Sequence, residues 1–231
     1  MSLVYIISAP SGSGKSTLVN ELRQVVPGLD FSISYTTRAP RGSEQNGREY
    51  FFVPRADFEA MVRQDEFLEH AEVYGKNYGT ARRFLQDARK NERDLLLDID
   101  VQGAAQIKKK IPEAINIFVL PPDRKTLEWR LRNRSEDDPK DIENRLATAT
   151  REIENYDKYD YILINDHLED SVEALKAIVL AERFRRSGRM PAATEPNYFD
   201  VAEAWRLKNV RERVQPILES FRTPPESRTS T

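Results

Sequence analysis

The sequence predicts an α/β fold, a largely parallel sheet with helices on both faces. Short apolar runs recur at residues 3–7, 95–99, 115–120 and 161–164, each the length of one buried strand. The stretches between them have helical character, and strands alternating with helices are the mark of a parallel sheet. The first run leads through a glycine-rich turn straight into a helix.

That helix is expected over 15–26, with Leu18, Leu22 and Val25 on one face and Pro27-Gly28 as its stop. From about residue 31 to 78 the rhythm breaks. Strand candidates at 31–34, 50–53 and 67–73 surround one helix at 56–64, and Tyr74-Gly75-Lys76-Asn77 reads as a hairpin turn. This is the pattern of a small inserted α+β subdomain. A second departure covers 126–156, a charge-rich stretch. There Asp138-Pro139 reads as an N-cap followed by a first-turn proline, and Ile142, Leu146, Ala149 and Ile153 mark one helix face.

Past residue 188, Gly188, Pro191 and Pro196 mark a linker. Val201, Trp205, Val214, Ile217, Leu218 and Phe221 then line one side of a helix expected to pack on the core, with Pro216 disturbing it late. Residues 222–231 are expected to be disordered. The resulting division is a domain over 1–188 and an extension over 189–231. Within the domain, 1–31, 81–125 and 157–188 form the core, 32–80 the insert and 126–156 a helical lid.

Composition narrows the chemistry. The 231 residues hold 36 basic and 38 acidic side chains, so no strongly basic surface for a polynucleotide is expected. There is no cysteine, and His70 and His167 are the only histidines, which excludes thiolate and multi-histidine metal sites. The chain opens on an apolar strand with no basic leader or long apolar stretch, and the expectation is a cytoplasmic protein with no membrane partner. Self-association stays open.

"APSGSGKST", residues 9–17, matches the phosphate-loop pattern except that Ala9 stands at its first glycine. Gly12 and Gly14 let backbone N–H groups turn inward, and the helix N-terminus adds positive potential at the same point. Lys15 brings a point charge to the β- and γ-phosphates, and the Ser16 hydroxyl suits a phosphate-bound Mg²⁺. The core is therefore expected to be of the P-loop NTPase type. In "LLLDIDVQG", residues 95–103, Asp98 and Asp100 fall at a strand end, where such sheets place ligands, although Asp100 also reads as the N-cap of the next helix. The donor-rich stretch "SYTTRAPRGSEQNGREYFF", residues 34–52, holds Arg38, Arg41 and Tyr50, and Tyr78 follows. Forked guanidinium groups with tyrosine hydroxyls suit a second, phosphorylated ligand.

The segments "SGSGKST", "FSISYTTRAPRGSEQNGREYFF", "EFLEHAEVYGKNYGT", "LLLDIDVQG" and "YILINDHLEDSVEALKAIVLAER" together resemble the guanylate kinase family, in order, over about residues 3–186. The resemblance implies ATP and GMP as substrates and Mg²⁺ as cofactor. Ser11, Gly12, Ser13, Gly14, Lys15, Ser16 and Thr17 would hold ATP, with Asn165 and Asp166 near its adenine. Arg38, Arg41, Tyr50 and Tyr78 would bind the GMP phosphate. Ser34, Glu69, Thr80 and Asp100 would read guanine, Asp98 would lie near metal or base, and Ser16 with Asp98 would serve the metal. The lid would supply Arg134 and Arg145, which act with Lys15 and Arg41 on the transferred group, while Arg130 and Arg132 are expected to face water. Ser135 stands where the family has glycine. Two rivals remain at this stage: a guanylate-kinase-like binding module without catalysis, which has no use for Lys15 and Ser16, and a P-loop kinase of another phosphorylated acceptor.

Overall fold

The computed structural model describes residues 2–134, 139–191 and 197–222, which fold into helices and strands. In order they are β1 (Val4–Ser8), α1 (Lys15–Val25), β2 (Leu29–Phe31), β3 (Tyr35–Thr36), β4 (Phe51–Phe52), α2 (Arg55–Arg63), β5 (Phe67–Val73), β6 (Lys76–Ala81), α3 (Arg82–Lys90), β7 (Asp94–Asp98), α4 (Val101–Lys110), β8 (Ile115–Leu120), α5 (Arg124–Arg134), α6 (Pro139–Ile153), β9 (Tyr161–Ile164), α7 (Leu168–Ser187), α8 (Tyr198–Ala204) and α9 (Leu207–Arg222). Five strands make the main sheet in the order β2-β7-β1-β8-β9. Two compact units make up the chain, residues 1–8 with 19–117 and residues 9–18 with 118–231.

In the first unit, β7 pairs in parallel with both β1 and β2, with Val4 opposite Leu95 and Leu29 opposite Asp94. Leu95, Leu96 and Leu97 are all fully buried, which is why this strand reads as an unbroken apolar run rather than an alternating one. A separate sheet, ordered β4-β3-β6-β5, forms the insert. Its hairpin joins β5 to β6 through Tyr74 and Gly75, both at positive φ, the two-residue turn whose twist suits adjoining strands. Phe58 of α2 stacks on Phe67 of β5 at 4.6 Å, anchoring helix to sheet.

Several expectations are corrected here. Residue 31 ends a strand of the main sheet, and the expected strand at 31–34 does not form as such; its pattern was carried by the tail of β2 and the loop before β3. Lys76 and Asn77, expected in the turn, begin β6. Val25 is exposed and Val26 is buried, because the buried face of α1 steps by four through Leu18, Leu22 and Val26.

In the second unit, Ile142, Leu146, Ala149 and Ile153 are buried along α6. That helix starts at Pro139, while Asp138 and Ser135 lie outside the described residues. The extension forms two helices rather than one. Val210, Val214, Ile217, Leu218 and Phe221 bury one side of α9, whereas Val201 is exposed. Pro216 lies inside α9 without ending it, and Arg222, counted with the expected disordered tail, is the last residue of the helix. The apolar burial on both sides of Pro216 compensates the hydrogen bond that its ring removes. Between α8 and α9 the backbone is laid antiparallel on β9: Ile162 N–H donates to the Trp205 carbonyl (2.9 Å) and Leu207 N–H to that of Asp160 (3.2 Å). Pro196 and residues 223–231 lie outside the description.

Candidate active site

The phosphate loop begins where β1 ends. Gly12 and Gly14 have φ of +92° and +88°, and a Cβ on Gly14 would stand 2.4 Å from Asn165 Nδ2, so the loop admits no larger residue there. Ser13 N–H closes the turn on the Pro10 carbonyl at 3.1 Å. Ser13 itself is fully buried and its hydroxyl makes no hydrogen bond. It therefore serves the loop through its backbone. Lys15, Ser16 and Thr17 form the first turn of α1, with the last two exposed.

Three residues of the second unit brace this loop. Arg145 of α6 donates from Nη2 to Ser11 Oγ at 2.7 Å. Asn165, just past β9 and buried, donates its amide to the Ser13 carbonyl at 2.7 Å. Arg130 of α5 donates both Nη atoms to the Asn165 carbonyl at 3.1 Å and reaches the Asp166 carbonyl. Arg130 is thus not the water-facing residue expected, because backbone carbonyls at the end of β9 hold its guanidinium. Arg132, by contrast, is exposed and paired with Glu128. Asn165, expected beside adenine, has its amide nitrogen engaged beneath the loop, and Asp166 is exposed. Arg134 ends α5, and its side chain lies outside the described residues. An Asn165→Ala variant is expected to bind a nucleoside triphosphate about tenfold more weakly, the worth of one buried hydrogen bond. Calorimetric titration measures this, and an unmoved affinity would detach Asn165 from loop geometry.

The second cluster lies wholly in the first unit. Arg38 forms a two-pronged pair with Glu44, Nη1 to Oε2 at 2.8 Å and Nη2 to Oε1 at 3.0 Å. Glu44 also accepts the Arg41 N–H at 2.8 Å. Burial disfavours the Arg38 charge, but hydrogen bonds with Glu44 and Tyr78 outweigh it and raise its pKa. Burial likewise opposes ionisation of Glu44, and the arginines win and lower its pKa. The Arg38 guanidinium lies over the rings of Tyr50 (5.2 Å) and Phe52 (5.6 Å), and Tyr50 meets Tyr78 edge-on. Burial, then the nearby Asp98 and Tyr78, push the Tyr50 hydroxyl upward, so it stays a neutral donor. Arg41 is exposed. Glu44 escaped the sequence reading; the signal for it was an acid in the middle of an arginine-rich loop.

Glu69 and Thr80 face each other across β5 and β6, both buried, with Thr80 Oγ1 donating to Glu69 Oε1 at 2.6 Å. Burial foremost, with the Asp100 charge adding, pushes the Glu69 carboxyl up to about 7, against Thr80 and Lys110, which pull it down. Asp100 caps α4, accepting the Gly103 N–H on Oδ1 at 2.9 Å, so the capping reading of this residue holds, and its Oδ2 accepts from Gln102 Nε2 at 3.3 Å. Ser34 is buried, and Asp98 ends β7 opposite Ile7.

A phosphate loop opening the first helix of this sheet, with an arginine–tyrosine cluster and a buried carboxylate elsewhere in the chain, defines a P-loop protein of the α/β class that handles phosphorylated ligands. The family model described as guanylate kinase matches residues 1–182. A guanylate kinase of Koribacter versatilis (strain Ellin345) is 61% identical over 222 residues, 95% of each chain. One of Nitrosospira multiformis is 47% identical over 187 residues, 81% of this chain and 89% of the relative. Among solved structures, guanylate kinase from Anaplasma phagocytophilum superposes with a TM-score of 0.65 at 31% identity, covering 78% of this chain and 86% of that one. The chain belongs to the guanylate kinase family.

Proposed function

We propose that this protein transfers the γ-phosphoryl group of ATP to GMP, and to dGMP, giving ADP and GDP reversibly. The observation that carries the reading is the presence of two separate built clusters: a braced phosphate loop, and a buried carboxylate beside an arginine–tyrosine anion site. A binding module has no need of the first, and a hydrolase no need of the second.

The loop N–H groups, Lys15 and Arg145 would hold and neutralise the transferred group. Arg38, Arg41, Tyr50 and Tyr78 would take the GMP phosphate, with Glu44 as the carboxylate that it displaces or shares. Glu69 would accept guanine N1–H and its 2-amino group, with Ser34, Thr80 and Asp100 completing the readout. No general base is needed, since the acceptor phosphate is already anionic. Catalysis is positioning and charge compensation, with water kept from the γ-phosphoryl group. We take residues 32–80 as the acceptor-binding part and 126–156 as the lid, in which Arg134 would act beside Arg145.

Among the described residues no group of three or more acidic or histidine side chains could hold a metal alone. A Mg²⁺ arriving with ATP needs only one or two hard oxygens from protein, and the Ser16 hydroxyl and Asp98 carboxylate are of that kind. Carried in with ATP, the ion would supply positive charge that offsets the charge of the phosphates. No helix among the described residues is long and apolar enough to cross a membrane. We place the activity in the cytoplasm, where both nucleotides occur.

The test is ADP formation with ATP, Mg²⁺ and each nucleoside monophosphate in turn. GMP is expected to exceed AMP in kcat/KM by about 10⁴, as a site built on base hydrogen bonds allows. Absence of turnover with GMP, or equal rates with AMP, would overturn the reading.

A further inference from the structure

Strand β5 is an edge strand of the insert sheet, and its outward backbone groups would be exposed without a partner. Helix α4 supplies that partner from its side chains. Gln102 Nε2 donates to the Glu72 carbonyl (3.4 Å). Gln106 both donates to the His70 carbonyl (2.8 Å) and accepts the His70 N–H (3.3 Å). Lys110 Nζ donates to the Leu68 carbonyl. The helix residues step by four and the strand residues by two in the opposite direction. Four helical residues rise about 6 Å, and two strand residues about 6.7 Å. The repeats nearly match, and flexible stems absorb the rest. The Gln106 amide, with one donor and one acceptor, stands in for a peptide group of a missing strand.

The same helix carries Asp100 at its N-cap, and the same strand carries Glu69. Between them lies Gly103, where a Cβ would fall 2.4 Å from Glu69 Oε2, 2.9 Å from its Cδ and 3.3 Å from Asp100 Oδ1. Gly103 is not at positive φ, so close approach alone requires glycine here.

We infer that the α4–β5 ladder sets the spacing of the two guanine-reading carboxylates, with Gln106 and Gly103 as positioning residues for acceptor specificity. This rests on the reading of Glu69 and Asp100 given above. Neither residue need touch GMP. Gln106 fixes the strand register that presents Glu69, and Gly103 leaves the space that its carboxylate occupies.

The experiment compares Gln106→Ala, Gly103→Ala, Gly103→Ala with Glu69→Asp, Glu69→Gln, and the exposed control Lys109→Ala in the full chain. Alanine favours a helix over glycine, and the obstructed atoms are a side-chain end, so Gly103→Ala keeps the fold and moves the carboxylate. Gln106→Ala and Gly103→Ala are expected to raise KM for GMP by about tenfold or more, as a misplacement near 1 Å does. KM for ATP and kcat at saturating GMP hold. Shortening residue 69 by one methylene restores part of the loss in Gly103→Ala, which a merely structural defect would not allow. If Gly103→Ala fails to fold, Gln106→Ala carries the test alone. Parent-like KM for GMP in the ladder variants, with Glu69→Gln impaired, overturns this inference and leaves the functional reading intact. A Glu69→Gln enzyme that binds GMP normally removes the reading of Glu69 and this inference with it.

Discussion

An Arg145→Met enzyme is expected to lose about three orders of magnitude in kcat, the scale reported by arginines that stabilise phosphoryl-transfer charge. The structure makes this a clean substitution. Arg145 belongs to α6, at the border of the face buried through Ile142, Leu146, Ala149 and Ile153, and is itself only half-buried. Methionine keeps the stem and helix propensity while removing the guanidinium that reaches Ser11 Oγ. ATP binding, measured by calorimetric titration, should weaken only a few-fold, because the loop N–H groups and Lys15 remain. A kcat within tenfold of the parent would remove Arg145 from the reaction and leave it as a loop brace like Asn165.

The second large effect belongs to Glu69. Glu69→Gln is expected to lower kcat/KM for GMP by about 10³, since an amide presents a donor where guanine also donates. AMP turnover should hardly change. The wild-type pH profile carries the same signature. With the carboxyl pushed up to about 7 in the empty site, KM for GMP is flat above pH 8 and rises toward tenfold per unit below pH 7, as protonation removes the acceptor. For stability the sign follows from a raised acid pKa. The contribution is full below the ordinary value of 4.5 and is lost as pH rises through about 7. At pH 8 the empty enzyme therefore carries a penalty on the order of 3 kcal/mol for an ionised buried Glu69. The Gln variant should melt higher than its parent at pH 8, with the gap closing toward pH 4.5. A variant both less active and no more stable at pH 8 would contradict this.

The phosphate loop was legible because spacing alone defines it: a strand, two glycines that must reach positive φ, then Lys15 on a helix N-terminus. The main strands were legible because burial on both sheet faces demands continuous apolar runs. What stayed hidden depended on which side chains meet. Glu44 and Arg38 are six residues apart in a loop with no period, so nothing local marks them as partners. Nothing local in the sequence singles out Gln106, and only the fold brings it to His70. Arg130 was set aside as a surface charge because a guanidinium bound by backbone carbonyls leaves no complementary acid in the sequence. Val25 and Val26 differ by one step of helical phase, which three apolar positions cannot resolve.

The chain laid along β9 between the last two helices has a practical side. β9 ends the main sheet, and the Trp205 carbonyl and Leu207 N–H engage backbone groups that would otherwise invite another molecule's strand. Trimming the protein to residues 1–189 for convenience would thus create a sticky border as well as a smaller enzyme. Clumping in concentrated stocks, rather than slower turnover, is where that omission would first be noticed.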